Sequence, residues 1–213
     1  MSKFAVPNGT TIALATAYGA AIVMSAISNA AAAEATLAAG HGTVVGDYLE
    51  LTSGWPGIDG AISKISAVDT NDVTLAGINT DSAAYPVGEG AGSVRKVSTW
   101  QPVRHVMTPQ MGGGDQQYLT YQFLEELKQR QQKTFKNPYT FTFMVAEGDA
   151  VARAALQAAD ADAGSRALRL VLPNGIGEIL LNGQVSYNPM PTLTVNELLA
   201  NAVSVAVTNI TRI

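Results

Sequence analysis

Apolar and polar positions alternate with a two-residue period over most of this chain, in short runs broken by glycine-rich turns. Residues 10–16 (TTIALAT) set Ile12 and Leu14 between small residues, which predicts a strand. Residues 22–27 form a second candidate. The alanine-rich run 30–39 has helical propensity, but Gly40, Gly42 and Gly46 follow at once and residues 36–38 read as a short strand. Turns at 40–46, Pro56-Gly57, Asn71-Asp72 and 88–92 then separate four apolar runs. These centre on Tyr48, Leu49 and Leu51; on Ile62, Ile65 and Val68; on Val73 and Leu75; and on Val94 and Val97. Short strands about ten residues apart with turn chemistry between them predict a small all-β barrel or sandwich.

Residues 139–145 (YTFTFMV) alternate most cleanly. Residues 148–164 carry the one sustained helical period, with Val151, Ala155, Leu156 and Ala159 on one face, Asp149 near the start and Gly164 as a stop. Strands follow at 166–172, 176–185 and 202–208, the first two joined by Pro173-Asn174-Gly175, a strong hairpin signal. Strands, one helix and strands again give an α+β chain that is mainly β.

Residues 107–135 break this pattern with seven glutamines, the glycine run 112–114 and a knot of charges between two apolar strands. Leu119, Phe123 and Leu127 fall at i, i+4 and i+8, with Glu125 and Glu126 ahead of Lys128 and Arg130, which favours an amphipathic helix. Tyr121 and Phe123 favour a strand instead.

Composition narrows the classes. A chain of 213 residues suffices for one full domain or two small ones. With 47% hydrophobic and 14% charged residues, much of the surface must be Thr, Ser, Asn, Gln and Ala, which suits a protein that hides surface in an assembly. A net charge of −4 without a basic cluster argues against binding nucleic acid through its phosphates. The absence of cysteine removes disulfides, thiolate catalysis and Cys-based metal sites. The opening MSKFAVPNGTT lacks the apolar core of a secretory signal. The apolar stretch 20–39 is interrupted by Ser25, Ser28, Asn29 and Glu34, so no membrane span is expected.

Candidate chemistry is sparse. His41 sits between glycines and His105 in a strand-like run, and neither neighbours a carboxylate at metal-ligand spacing. No nucleophile elbow, P-loop or dinucleotide fingerprint is present. Residues 88–92 (GEGAG) have a phosphate-loop look, but Ser93-Val94-Arg95 opens a strand, not a helix. Asp160 and Asp162 read as the solvated end of the helix, and the adjacent Glu125 and Glu126 as pointing to different faces. Trp55 and Trp100 fit core positions better than a sugar platform. No catalytic, cofactor or metal site is expected, and the chain does not read as an enzyme.

Two stretches resemble known phage proteins. The C-terminal RALRLVLPNGIGEILLNGQVSYNPMPTLTVNELLANAVSVAVTNITRI carries Pro173-Asn174-Gly175, Gly183-x-Val185-Ser186, Val195-x-Glu197 and Val203-x-Val205-x-Val207-Thr208-Asn209. In that order, after a helix, these features resemble the closing half of lambda-type tail tube proteins (major tail proteins) of long-tailed bacteriophages. The likeness runs from Phe141 to the end and includes the 10–16 strand. Residues 41–97 resemble a small β module recurring in phage tail proteins, through Gly40-His41-Gly42, Gly46-Asp47, Gly57-x-Asp59-Gly60, Val73-x-Leu75 and Gly77-Ile78-Asn79-Thr80. Short tail tube proteins lack this module.

The resemblance implies a β-sandwich core over residues 1–38 and 94–213, flanked by the 148–164 helix, with a barrel-like insertion at 39–93. It implies homohexameric rings stacked into a tube, through which DNA passes without specific binding. It also implies contacts with tape measure, tail terminator and distal tail or baseplate proteins, a place in the virion tail after assembly in the host cytoplasm, and neither cofactor nor membrane. The arm becomes an extended hairpin over 103–138 that joins subunits and lines the lumen, with Met107, Pro109, Gln110, Gln116, Gln117, Tyr121, Phe123, Glu125, Glu126, Arg130 and Lys133 as its assembly residues. Glutamine suits such a passage, because it hydrogen-bonds without charge. Arms of about twelve residues would reach ~40 Å, and neighbouring subunits would supply the hydrogen-bond partners that a lone hairpin lacks. The alternative is a tail-associated binding or decoration module, in which exposed Trp55 and Tyr48 recognise a host-surface glycan or protein.

Overall fold

The apolar runs at 10–16 and 22–27 belong to one strand, β1 (Thr11–Ile27), whose 17 residues pass through two apolar cores. Ile12 and Leu14 lie in the first core, and Met24 and Ile27 in the second. Register shifts against its neighbour between Ala15 and Ala21 let the strand bend from one to the other. The computed structural model describes residues 6–213, so residues 1–5 of the expected core lie outside the described residues.

Behind β1 come β2 (Glu34–Leu37), β3 (Tyr48–Ser53), β4 (Ile62–Asp69), β5 (Asp72–Ala76), β6 (Gly92–Val103), β7 (Val106–Gly112), β8 (Gln116–Tyr121), β9 (Arg130–Lys136) and β10 (Tyr139–Ala146). The helix α1 (Ala150–Ala161) precedes β11 (Arg166–Val171), β12 (Glu178–Tyr187) and β13 (Ala200–Arg212). Eleven strands form one sheet in the order β2-β5-β4-β3-β6-β1-β11-β12-β13-β10-β7, while β8 and β9 pair only with each other. The class is mainly β with a single α-helix, as expected. Its eleven main strands are hydrogen-bonded into one continuous sheet.

One end of the sheet closes on itself. The short β2 pairs with β5 on one side and with Met24–Ile27 of β1 on the other, so β1, β2, β5, β4, β3 and β6 complete a ring. Leu49, Leu51, Ile65, Val73, Leu75 and Val94 fill it, because alternate residues of every strand point inward. Trp55, 1% exposed, plugs this interior, and its indole N–H donates to the Pro86 carbonyl at 3.0 Å. The glycine run 88–92 is the strap over that ring: a Cβ on Gly90 would collide with Ile27 and lie 2.8 Å from Trp55.

The other end is a curved wall. Leu14 on β1 and Phe143 on β10 share one cluster although three strands stand between them in the order, so the sheet must wrap around it. Helix α1 covers the cluster with Leu156 and Ala159, and Asp149 caps it by accepting the Ala152 N–H at 3.0 Å. The buried face is offset from the expected one: Ala152 is buried and Val151 is exposed. Nor does Gly164 stop the helix. Asp162 turns extended, accepts the Gly164 N–H at 3.0 Å and pairs with Arg166 at 2.6 Å. Asp160 is exposed at the helix end, as expected, and its carboxylate also receives the Tyr187 N–H at 3.1 Å, tying α1 to β12.

Barrel and wall are joined by polar contacts. Tyr48 and Lys64 both donate to Glu178, at 2.5 and 2.9 Å. Asn182 donates to buried Glu50 at 3.1 Å and to the Gly60 carbonyl at 2.8 Å, and Arg95 closes on Glu50 at 2.5 Å.

Candidate assembly surface

Every strand of the large sheet has a partner on both sides except β7, whose outer edge is open, and the detached β8–β9 pair leaves both its outer edges open. Part-edges stay open elsewhere, since β3 pairs with β6 only over 92–96 and leaves residues 97–103 with β1 alone, but β8 and β9 pair only with each other. Such edges recruit other strands unless they are blunted. Part of β7 is blunted: Thr108 (φ 46°) and Pro109, which has no N–H, stand together opposite Phe143 where the pairing to β10 shifts.

The glycine run 112–114 is where the chain leaves the sheet. Gly113 (φ 79°) and Gly114 (φ 78°) adopt left-handed conformations. A Cβ on the first would strike the Pro138 carbonyl, and one on the second would strike the Tyr139 ring. Two backbone bonds then close the base of the hairpin, Gly114 N–H to Asn137 O at 3.1 Å and Asn137 N–H to Asp115 O at 3.0 Å.

Beyond that base the arm is extended, and the local pattern that favoured a helix is overruled. Tyr118 faces Lys133, Leu119 faces Gln132, and Tyr121 faces Arg130 across β8–β9. Gln116 explains part of the choice: its amide donates to the Phe135 carbonyl at 3.1 Å and the Gln117 carbonyl at 2.9 Å, holding a bulge that a helix has no use for. The Glu126–Arg130 ion pair, spaced as on a helix, forms instead across the turn at the tip, with Arg130 over the Phe123 ring.

The expected hairpin over 103–138 is thus shorter than the sequence suggested. Met107, Pro109 and Gln110 lie on β7 in the main sheet, Gln116, Gln117 and Tyr121 on β8, Phe123, Glu125 and Glu126 in the tip, and Arg130 and Lys133 on β9. Strands of six and seven residues span about 20 Å, half the expected reach. The tip presents Leu124 and Leu127 fully to solvent, at 103% and 101% exposure, beside Phe123.

Two surfaces carried no clear sequence signal. Thr108, Gln110, Thr142, Met144, Ser186 and Ser204 line a shallow groove of about 340 Å³ on the outer face of β12, β13, β10 and β7, and none of its lining residues is charged. The loop 188–199 exposes Met190, Leu193, Val195 and Leu198. Alternation along β10 and β13 placed the outward positions of the groove, but nothing in one sequence shows that two strands share a face.

The remaining candidates are structural. His41 accepts the Thr43 N–H at Nδ1 (3.1 Å), and Nε2 donates to the Thr70 carbonyl at 3.0 Å, pinning a turn. His105 is not in a strand but in the bend between β6 and β7, with φ 54°. Tyr48, 7% exposed, is buried like Trp55, so the pair the alternative reading needs at the surface is inside. Trp100 stands edge-on to Tyr48, with ring centroids 5.4 Å apart. Burial pushes the Glu178 carboxyl up, but hydrogen bonds from Tyr48 and Lys64 outweigh it and hold the group below its usual range. Burial and the bond to Glu178 raise Tyr48. Among the described residues no cluster of His, Asp or Glu could hold a metal ion, and no helix is long and apolar enough to cross a membrane.

The fold is mainly β, with an arm whose two strands pair only with each other. The chain belongs to the phage tail tube protein (TTP) family, whose model matches residues 53–213, from the end of β3 through the arm and α1 to the last strand. No curated protein matches it. Its role is structural, in the tail tube of a virion.

Proposed function

We propose that six copies close into a ring and that rings stack into the tube through which DNA passes, with residues 106–136 joining one subunit to the next. The supporting observation is the arm itself: β7 ends the large sheet with its outer edge open, and β8 and β9 pair only with each other. A two-stranded hairpin standing alone is marginal in water, so β7, β8 and β9 find their missing hydrogen bonds on neighbouring copies.

The uncharged groove of β7, β10, β13 and β12, together with the glutamines of β8 and β9, lines the passage in this reading. Six copies at −4 each give a ring of −24, a like charge that lets DNA slide without adhering. Tape measure, terminator and distal tail or baseplate proteins meet the tube inside or at its ends, assembly takes place in the host cytoplasm, and the barrel decorates the exterior. Electron microscopy of the purified protein under assembly-promoting conditions tests this. Six-fold rings and tubes are expected; a protein that stays monomeric even with tail initiator proteins overturns the reading.

A further inference from the structure

The two exposed apolar segments of this chain lie at opposite ends of the same strand pair. In the β10–β13 ladder Tyr139 faces Val207 at one end and Ala146 faces Ala200 at the other. The arm enters β10 at Tyr139, while the loop 188–199 enters β13 at Ala200. Eight residues of strand, about 25 Å, separate the two exits, and the hairpin carries its tip a further ~20 Å away. Tip and loop of one chain therefore do not meet.

Both are built surfaces. The loop is tied down by Thr192 N–H to Ala200 O and Glu147 N–H to Leu199 O, at 2.9 and 2.8 Å, and by the Asn201 amide to Asn188 O at 3.0 Å. The tip is held by Glu126 to Arg130 and by the Gln122 amide to Glu126 O at 2.7 Å. Held in that way, each keeps leucines in water: Leu124 and Leu127 at the tip, Leu193 and Leu198 with Val195 (84% exposed) in the loop. Such patches mark contact sites. One pair of charges is also complementary. Lys128, which makes no ion pair among the described residues, adjoins Leu127, and Glu197 adjoins Leu198.

We infer that the occupant of the loop 188–199 is the hairpin tip of a second copy displaced along the strand direction. Leu124 and Leu127 pack on Leu193, Val195 and Leu198, and Lys128 meets Glu197. A patch at one end that fits a different patch at the other makes a head-to-tail contact, which propagates without closing. This docking rests on the stacked-ring reading and assigns it the longitudinal contact.

The absence of cysteine makes the test clean. The double variant Leu124→Cys/Val195→Cys, assembled and then oxidised, should give a reducible ladder of multimers, whereas either single variant should give dimers at most. Normal tubes without a ladder overturn the docking and leave the tube reading standing. Hydrogen exchange on the unmodified protein gives a second readout: residues 122–129 and 188–199 should both exchange slower in tubes than in monomers, on the order of tenfold. Slowing in one segment alone also overturns the docking. A wild-type chain that forms no rings or tubes by electron microscopy overturns the tube reading, and the docking with it.

Discussion

Tyr48 donates its hydroxyl proton to Glu178 across 2.5 Å, tying the first residue of β3 in the barrel to the first residue of β12 in the wall. Glu178 also receives Lys64 at 2.9 Å, so one carboxylate fixes two barrel strands against the wall. Replacing it with alanine strands a buried phenol and an ammonium, and should lower stability by about 1–3 kcal/mol, read as a drop in Tm. Tyr48→Phe removes one bond and should cost about 1 kcal/mol.

The same carboxylate gives a pH dependence with a definite sign. Its folded pKa lies below the unfolded one, so the folded protein binds fewer protons at this group. The stabilisation is present above the ordinary carboxylate value of about 4.3 and is lost as pH falls through the lower folded value. Chemical denaturation from pH 7 to pH 3 should show stability falling in that window. Glu178→Gln should be less stable at pH 7 and lose less on acidification; equal slopes for both proteins would refute the assignment.

Much of the fold was legible because strands advertise themselves by alternation. The runs at 48–51, 62–68, 73–75, 139–145 and 166–172, and the Asn174-Gly175 hairpin with its left-handed Asn174 (φ 58°), all occur where the pattern placed them. What stayed hidden was set by contacts distant in sequence. The closure of the barrel depends on Met24 meeting Leu37 across β1 and β2, and two apparent strands merge into β1 because both halves find partners on β6. In the arm, Leu119, Phe123 and Leu127 carried a helical period that local rules could not overrule. A Gln116 amide reaching Phe135, nineteen residues away, could. The surface loop 188–199 had no period to read at all.

The glycines of the arm should separate by what lies above them. Gly113→Ala puts a Cβ into the Pro138 carbonyl at a left-handed φ of 79°, so the hairpin base cannot keep its shape. Destabilisation of about 1–3 kcal/mol and loss of polymerisation are expected. Gly175→Ala is also left-handed, at φ 68°, but meets nothing within 4 Å, and should cost only about 1 kcal/mol with tubes intact. Comparable losses of assembly from the two would show that the base of the arm is not what matters.

Gln116 and Gln117, both expected in the assembly and lumen arm, differ in the structure. Gln116→Ala removes two bonds that hold the bulge and should weaken the hairpin by about 1 kcal/mol, seen as faster amide exchange in β8 and β9. The Gln117 side chain makes no such bond, so Gln117→Ala should leave exchange and assembly unchanged. Lysine at several of these positions should permit tubes but slow DNA ejection, by adding phosphate contacts.

Removing the arm separates folding from assembly, provided the cut respects the sheet. Residues 106–112 must stay, because β7 covers the edge of β10, where Met111 faces Phe141 and Met107 faces Met144. Residues 116–136 can go, because Asn137 already closes the hairpin base, donating to the Asp115 carbonyl at 3.0 Å and accepting the Gly114 N–H at 3.1 Å. A two-residue Gly-Ser turn can bridge them, and shortening a loop changes closure entropy by only a fraction of a kcal/mol. The shortened chain should therefore stay monomeric and folded, with a Tm within a few degrees of the parent, since α1 and all three apolar clusters lie outside the cut. Rings and tubes should be absent, because β8, β9 and the whole apolar tip are gone. Tyr121→Asp and Phe123→Asp, each placing a charge in an apolar contact, should reproduce that block without shortening the chain. Tubes of normal length from the shortened chain would place the subunit contacts elsewhere, on β7 and the closed barrel.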